Sequence, residues 1–202
     1  MNNIIYSEKE ILIFNGLIDL IKDGANPYSI KVSDIAKSAN IGKGTIYDYF
    51  KSKEEVISKA ILYIIHTEIQ EAKKRIESKD GFKDKFYEIL SIIADNIDNN
   101  LSIFNKLLST GGIQEFYEFI KDEKNSLYTC ISIIEDISRH FLEAGIDEGV
   151  ISVEENDFYK MMTIRSAISG FSGHISNKNH YPSISVEEAM DTAYKILIKA
   201  LN

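Results

Sequence analysis

The sequence predicts an all-α chain in two parts, and three observations carry that prediction. Only two prolines, Pro27 and Pro182, occur in 202 residues, so little in the chain interrupts a helix. Apolar residues recur at intervals of three and four over long stretches, as one face of an amphipathic helix requires. Capping boxes, a serine with a glutamate three positions on, stand ahead of such stretches at Ser7 with Glu10, Ser52 with Glu55 and Ser185 with Glu188.

The first helix carries Ile11, Phe14, Leu17, Ile18 and Ile21 on one side and is ended by Gly24. Val32 to Lys53 then reads VSDIAKSANIGKGTIYDYFKSK. Asp34, Ile35, Ala36 and Ala39 make a short helix, with Ala36 small enough for a close helix crossing. Asn40 follows as a turn residue that tolerates the left-handed conformation. Ile41 plugs the corner, and Gly42 opens a second helix that buries Ile46 and Phe50, four apart. A helix, a tight turn and a helix is the layout of a helix-turn-helix, whose second helix lies in the major groove of DNA.

Charge agrees with that placement. Residues 31–53 hold five lysines (31, 37, 43, 51, 53) and two aspartates (34, 48), a net +3 in a chain of net −8. A basic island in an acidic protein is where a polyanion could dock, and the alternative on spacing alone is a solvated helical hairpin with ordinary surface lysines. The outward positions of the second helix are Lys43, Gly44, Thr45, Tyr47, Asp48 and Tyr49. Lys43 and Thr45 are the expected base-edge contacts; Tyr47, Tyr49 and Lys53 are the expected phosphate contacts, and Gly44 lets the backbone come close. Residues 54–202 carry net −9 and are not expected to touch nucleic acid.

A long helix from Ser52 to about Glu77 follows, with Val56, Ala60, Ile61, Ile64, Ile65, Ile69 and Ala72 as its stripe. The next is marked by Phe82, Phe86, Ile89, Leu90, Ile93 and Ile97. Residues 101–121 are broken around Gly111 and Gly112. A helix from about Glu123 to Ala144 carries Leu127, Ile131, Ile134, Ile137 and Phe141. Residues 154–177 carry Ala167, Gly170 and Gly173 at intervals of three, a face another helix can approach closely, at about 1 kcal/mol per helical glycine. The last helix holds Ala189, Ala193, Tyr194, Leu197 and Leu201.

The segment from Val32 onward resembles the DNA-binding domain of TetR-family transcriptional regulators. Their pattern V-x-D-I-A-x-x-A-G-V, then G-T-L/I-Y-x-Y/H-F-x-S/N-K-E-E-L, is met at Val32, Asp34, Ile35, Ala36 and Ala39, then at Gly44, Thr45, Ile46, Tyr47, Tyr49, Phe50, Ser52, Lys53, Glu54 and Glu55. Asn40 stands where glycine is usual, and Lys31 where a capping Thr or Ser is common. The likeness covers roughly a quarter of the chain. It implies a three-helix helix-turn-helix domain (1–53), joined by the long helix to a helical effector-binding and dimerisation domain (54–202). It also implies a four-helix dimer interface made by the last two helices, expected here through Ala167, Gly170, Gly173, Ala193 and Leu197.

Other chemistry is sparse. His66, His140, His174 and His180 are scattered without metal-site spacing, so no metal is expected. No nucleophile elbow, phosphate loop or dinucleotide fingerprint occurs, so neither catalysis nor a cofactor is expected. The single Cys130 fits a reduced cytoplasmic setting; no secretory signal and no membrane span is expected. Phe86, Phe104, Phe116, Tyr117 and Tyr128 read either as core or as the lining of a pocket for a small apolar or aromatic effector. The expectation is a ligand-responsive repressor that binds a near-palindromic double-stranded operator as a homodimer. Its rivals are a small-molecule carrier or small enzyme that retains the fold, and a DNA-packaging protein without sequence preference.

Overall fold

The computed structural model describes residues 6–27, 29–98, 120–121, 123–152, 154–180 and 182–202. Within them the chain forms eight α-helices and no strand: α1 (Glu8–Lys22), α2 (Val32–Ser38), α3 (Lys43–Tyr49), α4 (Lys53–Glu77), α5 (Phe82–Asp98), α6 (Lys124–Asp147), α7 (Asp157–Ser176) and α8 (Val186–Ala200). A 3-10 turn, Lys178–His180, follows α7. Residues 101–119, which include Phe104, Phe116 and Tyr117, lie outside the described set.

The helices divide into two compact units. One holds the described residues up to 69 together with 120–132; the other holds 70–98 and 133–202. The division falls inside α4 and inside α6, so each of these helices contributes to both units. Residue 53, the boundary expected from sequence, is the first residue of α4.

In the first unit α1 begins at a complete capping box. The Ser7 hydroxyl accepts the Glu10 N–H at 3.3 Å, and the Glu10 carboxylate accepts the Ser7 N–H at 2.8 Å. Ile13, Phe14, Leu17, Ile18 and Ile21 are buried beneath it, against Ile35, Ala36, Ile46, Phe50 and the α4 residues Val56, Ile57, Ala60 and Ile61. Among the glycines described in this unit, Gly16 makes the tightest approach: a Cβ there would lie 2.8 Å from the Ala39 nitrogen. This glycine, rather than Ala36 alone, lets α1 close on the end of α2. Gly24 takes φ +95 just after α1.

In the second unit α5, α7 and α8 pack on one another with Phe141 and Leu142 of α6. The Phe82 and Phe141 rings stack at 4.3 Å between centroids. The Glu148 carboxylate accepts the Phe82 N–H at 2.8 Å, satisfying a donor at the start of α5. Asn156 and Ser185 cap α7 and α8. On α6 the buried face is Cys130, Ile133, Phe141 and Leu142, while Ile131 and Ile134 face outward. The expected stripe through Ile131 and Ile134 is therefore corrected. Isoleucines at 131, 133, 134 and 137 fit two helical faces equally well, and only the packing partners choose between them.

The last turns of α4 are tied to α5 by ions. Glu88 receives Arg75 Nε at 2.6 Å and Lys79 Nζ at 3.2 Å, and Arg75 also reaches Asp95 at 3.6 Å. Burial works to raise the Glu88 pKa, but the Lys79 and Arg75 hydrogen bonds outweigh it and hold the carboxyl below its ordinary value.

Candidate nucleic-acid interface

The turn between α2 and α3 is made by one strained residue and one half-buried plug. Asn40 has φ 52, the left-handed region that asparagine enters more readily than most residues. The Ile41 N–H returns to the Ala36 carbonyl at 2.9 Å, which closes the corner. Lys31 offers no side-chain cap to α2; instead the Asp34 carboxylate accepts the Lys31 N–H at 3.3 Å. The missing Thr or Ser is thus offset from the third position of the helix.

α3 is anchored from below. Ile46 is fully buried, and Phe50, which ends the helix in an extended conformation, packs its ring 5.7 Å from that of Phe14. Lys43, Gly44, Tyr47, Asp48 and Tyr49 are exposed, and Thr45 is half-buried. The Lys43 ammonium lies 5.9 Å over the Tyr47 ring, a cation–π contact that orients one flank of the helix. A Cβ at Gly44 would meet nothing within 4 Å. Lys51 is exposed at the α3–α4 turn, and Lys53 is half-buried at the start of α4.

That turn is held by Glu55. Its carboxylate accepts the Lys51 N–H at 2.7 Å and the Lys59 ammonium at 2.8 Å, while its own N–H donates to the Ser52 hydroxyl at 3.1 Å. The Lys59 hydrogen bond, then the Lys51 N–H, hold the Glu55 carboxyl below its ordinary pKa. Glu55 was legible only as half of a capping box with Ser52; the reach back to Lys51 and out to Lys59 was not. The lysine four residues after a glutamate was the available signal.

The remaining sequence-named residues are dispersed. Phe86 is fully buried in the second unit, 5.9 Å from the Phe141 ring, and Tyr128 belongs to the first unit and is 65% exposed. The first unit has a cleft of about 410 Å³ lined by Ile18, Tyr63, Ile64 and Thr67, none of them among the expected pocket residues. Ala167, Ala193 and Leu197 are buried in the second unit's own core, whereas Gly170 and Gly173 are exposed with open space around them. Beside them on α7, Tyr159 and Met162 are exposed, as is Ile196 on α8. No helix among the described residues is long and apolar enough to cross a membrane, and no group of three metal-binding side chains is found there.

A buried three-helix core that presents a short basic-flanked helix across a tight turn, followed by a helix shared with a second helical unit, defines a helix-turn-helix protein. Residues 25–60 match the family model of bacterial regulatory proteins, tetR family. The match spans the helix-turn-helix and the start of α4, so this stretch of the chain is similar to the DNA-binding part of that family. An uncharacterised HTH-type transcriptional regulator of Bacillus subtilis, YhgD, is 32% identical over 122 residues, which is 58% of this chain and 59% of that protein. Among solved structures, the transcriptional regulator FadR from Bacillus subtilis in complex with stearoyl-CoA superposes with a TM-score of 0.60 at 20% identity, over 95% of this chain and 97% of FadR. The superantigen PfiT reaches a TM-score of 0.71 at 16% identity, over 97% of each chain. Similarities at this level establish the fold, and the function rests on the site.

Proposed function

We propose that this protein is a ligand-responsive transcriptional repressor that binds a near-palindromic operator as a homodimer. The observation that carries the reading is the exposed α3 face of Lys43, Tyr47 and Tyr49, with Thr45 half-buried among them and Ile46 and Phe50 buried behind. Lys43 and Thr45 address base edges; Tyr47, Tyr49 and Lys53 address phosphate oxygens. Division of labour follows the start of α4, with residues 1–53 reading DNA and 54–202 sensing the effector and dimerising.

The dimer uses the outward face of α7 and α8. Gly170 and Gly173 admit a close helix approach, and Tyr159, Met162 and Ile196 supply apolar area. Ala167, Ala193 and Leu197 support that face from the core side. The effector is a small apolar or aromatic molecule held in the second unit, where Phe86 is the described member of the expected lining; Tyr128 belongs to the first unit and is left out of it. An acyl chain is the probe of choice, because FadR shares the fold and was crystallised with stearoyl-CoA. A ligand in the second unit acts by preferring a different disposition of α4, and so of the reading heads.

Selection of bound duplexes from a random-sequence pool tests the reading. Enrichment of inverted half-sites about one helical turn apart, or a multiple of that, is the expected result. A pool that never enriches a two-fold symmetric site would end it.

A further inference from the structure

The outermost line of α3 is acidic. At about 3.6 residues per turn, the residues opposite buried Ile46 are Gly44 and Asp48. Gly44 has no side chain and open space where one would stand, so at that turn the helix axis can seat deeply in a groove. One turn further on, Asp48 is the first side chain on the same line. It is exposed, and it takes part in no hydrogen bond or ion pair among the described residues. Asp34, Glu10 and Glu55 in the same unit are each engaged by a backbone N–H. Asp48 is thus a carboxylate left unengaged at the centre of a surface whose flanks carry Lys43 and Lys51.

Such a group opposes binding to phosphate wherever it sits within a Debye length, about 8–10 Å. It is tolerated at the crest of a reading helix when a particular DNA donor satisfies it. In the major groove the donors are exocyclic amines, N4 of cytosine and N6 of adenine, while guanine and thymine present acceptors there. We propose that Asp48 is a specificity-determining residue: it accepts a hydrogen bond from an exocyclic amine at one position of each half-site and repels base edges that offer only acceptors. The proposal rests on the reading of α3 as the helix that enters the major groove. It divides the work on that helix: the basic flanks hold any duplex, and Asp48 weakens every complex except the one with the right base.

The test is duplex selection with the wild type, Asp48→Ala and Asp48→Asn, followed by fluorescence anisotropy on the wild-type site and a random-sequence duplex. Asp48→Ala is expected to bind the random duplex about two- to fivefold more tightly, because a like charge has left the interface. It is expected to bind the wild-type site roughly tenfold more weakly, the scale of removing one base-edge interaction. Its selected sites are expected to lose preference at one position per half-site and keep it elsewhere. Cytosine or adenine at that position in the wild-type sites identifies the amine, and Asp48→Asn is expected to move the choice towards adenine, which asparagine pairs with bidentately. A wild type that enriches a site whose every position survives in Asp48→Ala overturns the role of Asp48 alone. Asp48→Ala that strengthens or weakens both duplexes equally also overturns it. A wild type that enriches no sequence overturns the DNA-reading assignment itself, and Asp48 with it.

Discussion

Gly16 on α1 and Gly170 on α7 are both helical glycines, yet a methyl group added to each meets opposite surroundings. At Gly16 it would lie 2.8 Å from the Ala39 nitrogen and 2.9 Å from the Ala39 Cβ; at Gly170, as at Gly173, it would meet nothing within 4 Å. In the first unit the missing side chain lets the molecule close on itself and so sets the platform for α3. In the second it leaves a smooth strip on the outside, on the helix that also exposes Tyr159 and Met162. Helical glycine costs about 1 kcal/mol relative to alanine in either place. The first unit recovers that cost within its own core. The second has no such contact within its own chain at Gly170 or Gly173, and on the proposed reading the strip meets a second copy of the chain.

The largest effect that tests this contrast is expected from Gly16→Ala. The clash is with backbone, which cannot rotate away, so overpacking should outweigh the gain in helix propensity and lower stability by about 2–3 kcal/mol. Gly145→Ala in the second unit is the control. Its Cβ would meet side-chain atoms instead of backbone, Ile151 Cδ1 at 2.5 Å and Cδ2 of the buried Phe82 ring at 2.7 Å, so a loss of about 1–3 kcal/mol, no larger than that of Gly16→Ala, is expected. Urea unfolding followed by circular dichroism measures both. A Gly16→Ala protein as stable as the wild type would show that the α1–α2 packing is loose.

Gly170→Leu should do the reverse. With open space around it, leucine should leave the protomer folded and stabilise the helix by about 0.5–1 kcal/mol. The bulk now stands on the proposed interface, so sedimentation velocity should show monomers in place of dimers. A dimer unchanged by leucine moves the interface elsewhere.

The two units also differ in how legible they were. Asn40, the capping box at Ser7 and the inner positions Ile46 and Phe50 were all readable, because a helix-turn-helix is specified by neighbours a few residues apart. What stayed hidden was set by partners distant in sequence. The approach of Gly16 to Ala39, that of Gly145 to Phe82, and the Arg75–Glu88 pair all join residues that no local period connects. For the same reason α6 was turned wrongly at Ile131 and Ile134. The division of the compact units within α4 was invisible because an amphipathic stripe continues unbroken through it.

A smaller effect distinguishes the two held carboxylates. Both Glu55 and Glu88 have pKa values below the ordinary 4.5. A depressed carboxylate contributes stability that is fully present above the unfolded value and lost as pH falls through the folded one. Glu88 joins two helices through Arg75 and Lys79, whereas Glu55 holds a local turn. Glu88→Gln should therefore flatten the fall in urea midpoint below about pH 4.5 more than Glu55→Gln does. Equal acid limbs in both variants would show that the α4–α5 ion cluster carries no more than the turn.

The central claim, that α3 reads DNA while the start of α4 only holds it, is tested most directly by fluorescence anisotropy of Lys43→Ala and Lys53→Ala on a selected operator and a random-sequence duplex across salt concentrations. Lys43→Ala should weaken operator binding by about 1–3 kcal/mol per half-site and random binding much less. Lys53→Ala should weaken both duplexes by similar factors and reduce the slope of log affinity against log salt by about one for each lysine–phosphate pair removed. Equal losses on both duplexes for Lys43→Ala would contradict its role as a reader, and no change in either variant would contradict the DNA surface itself.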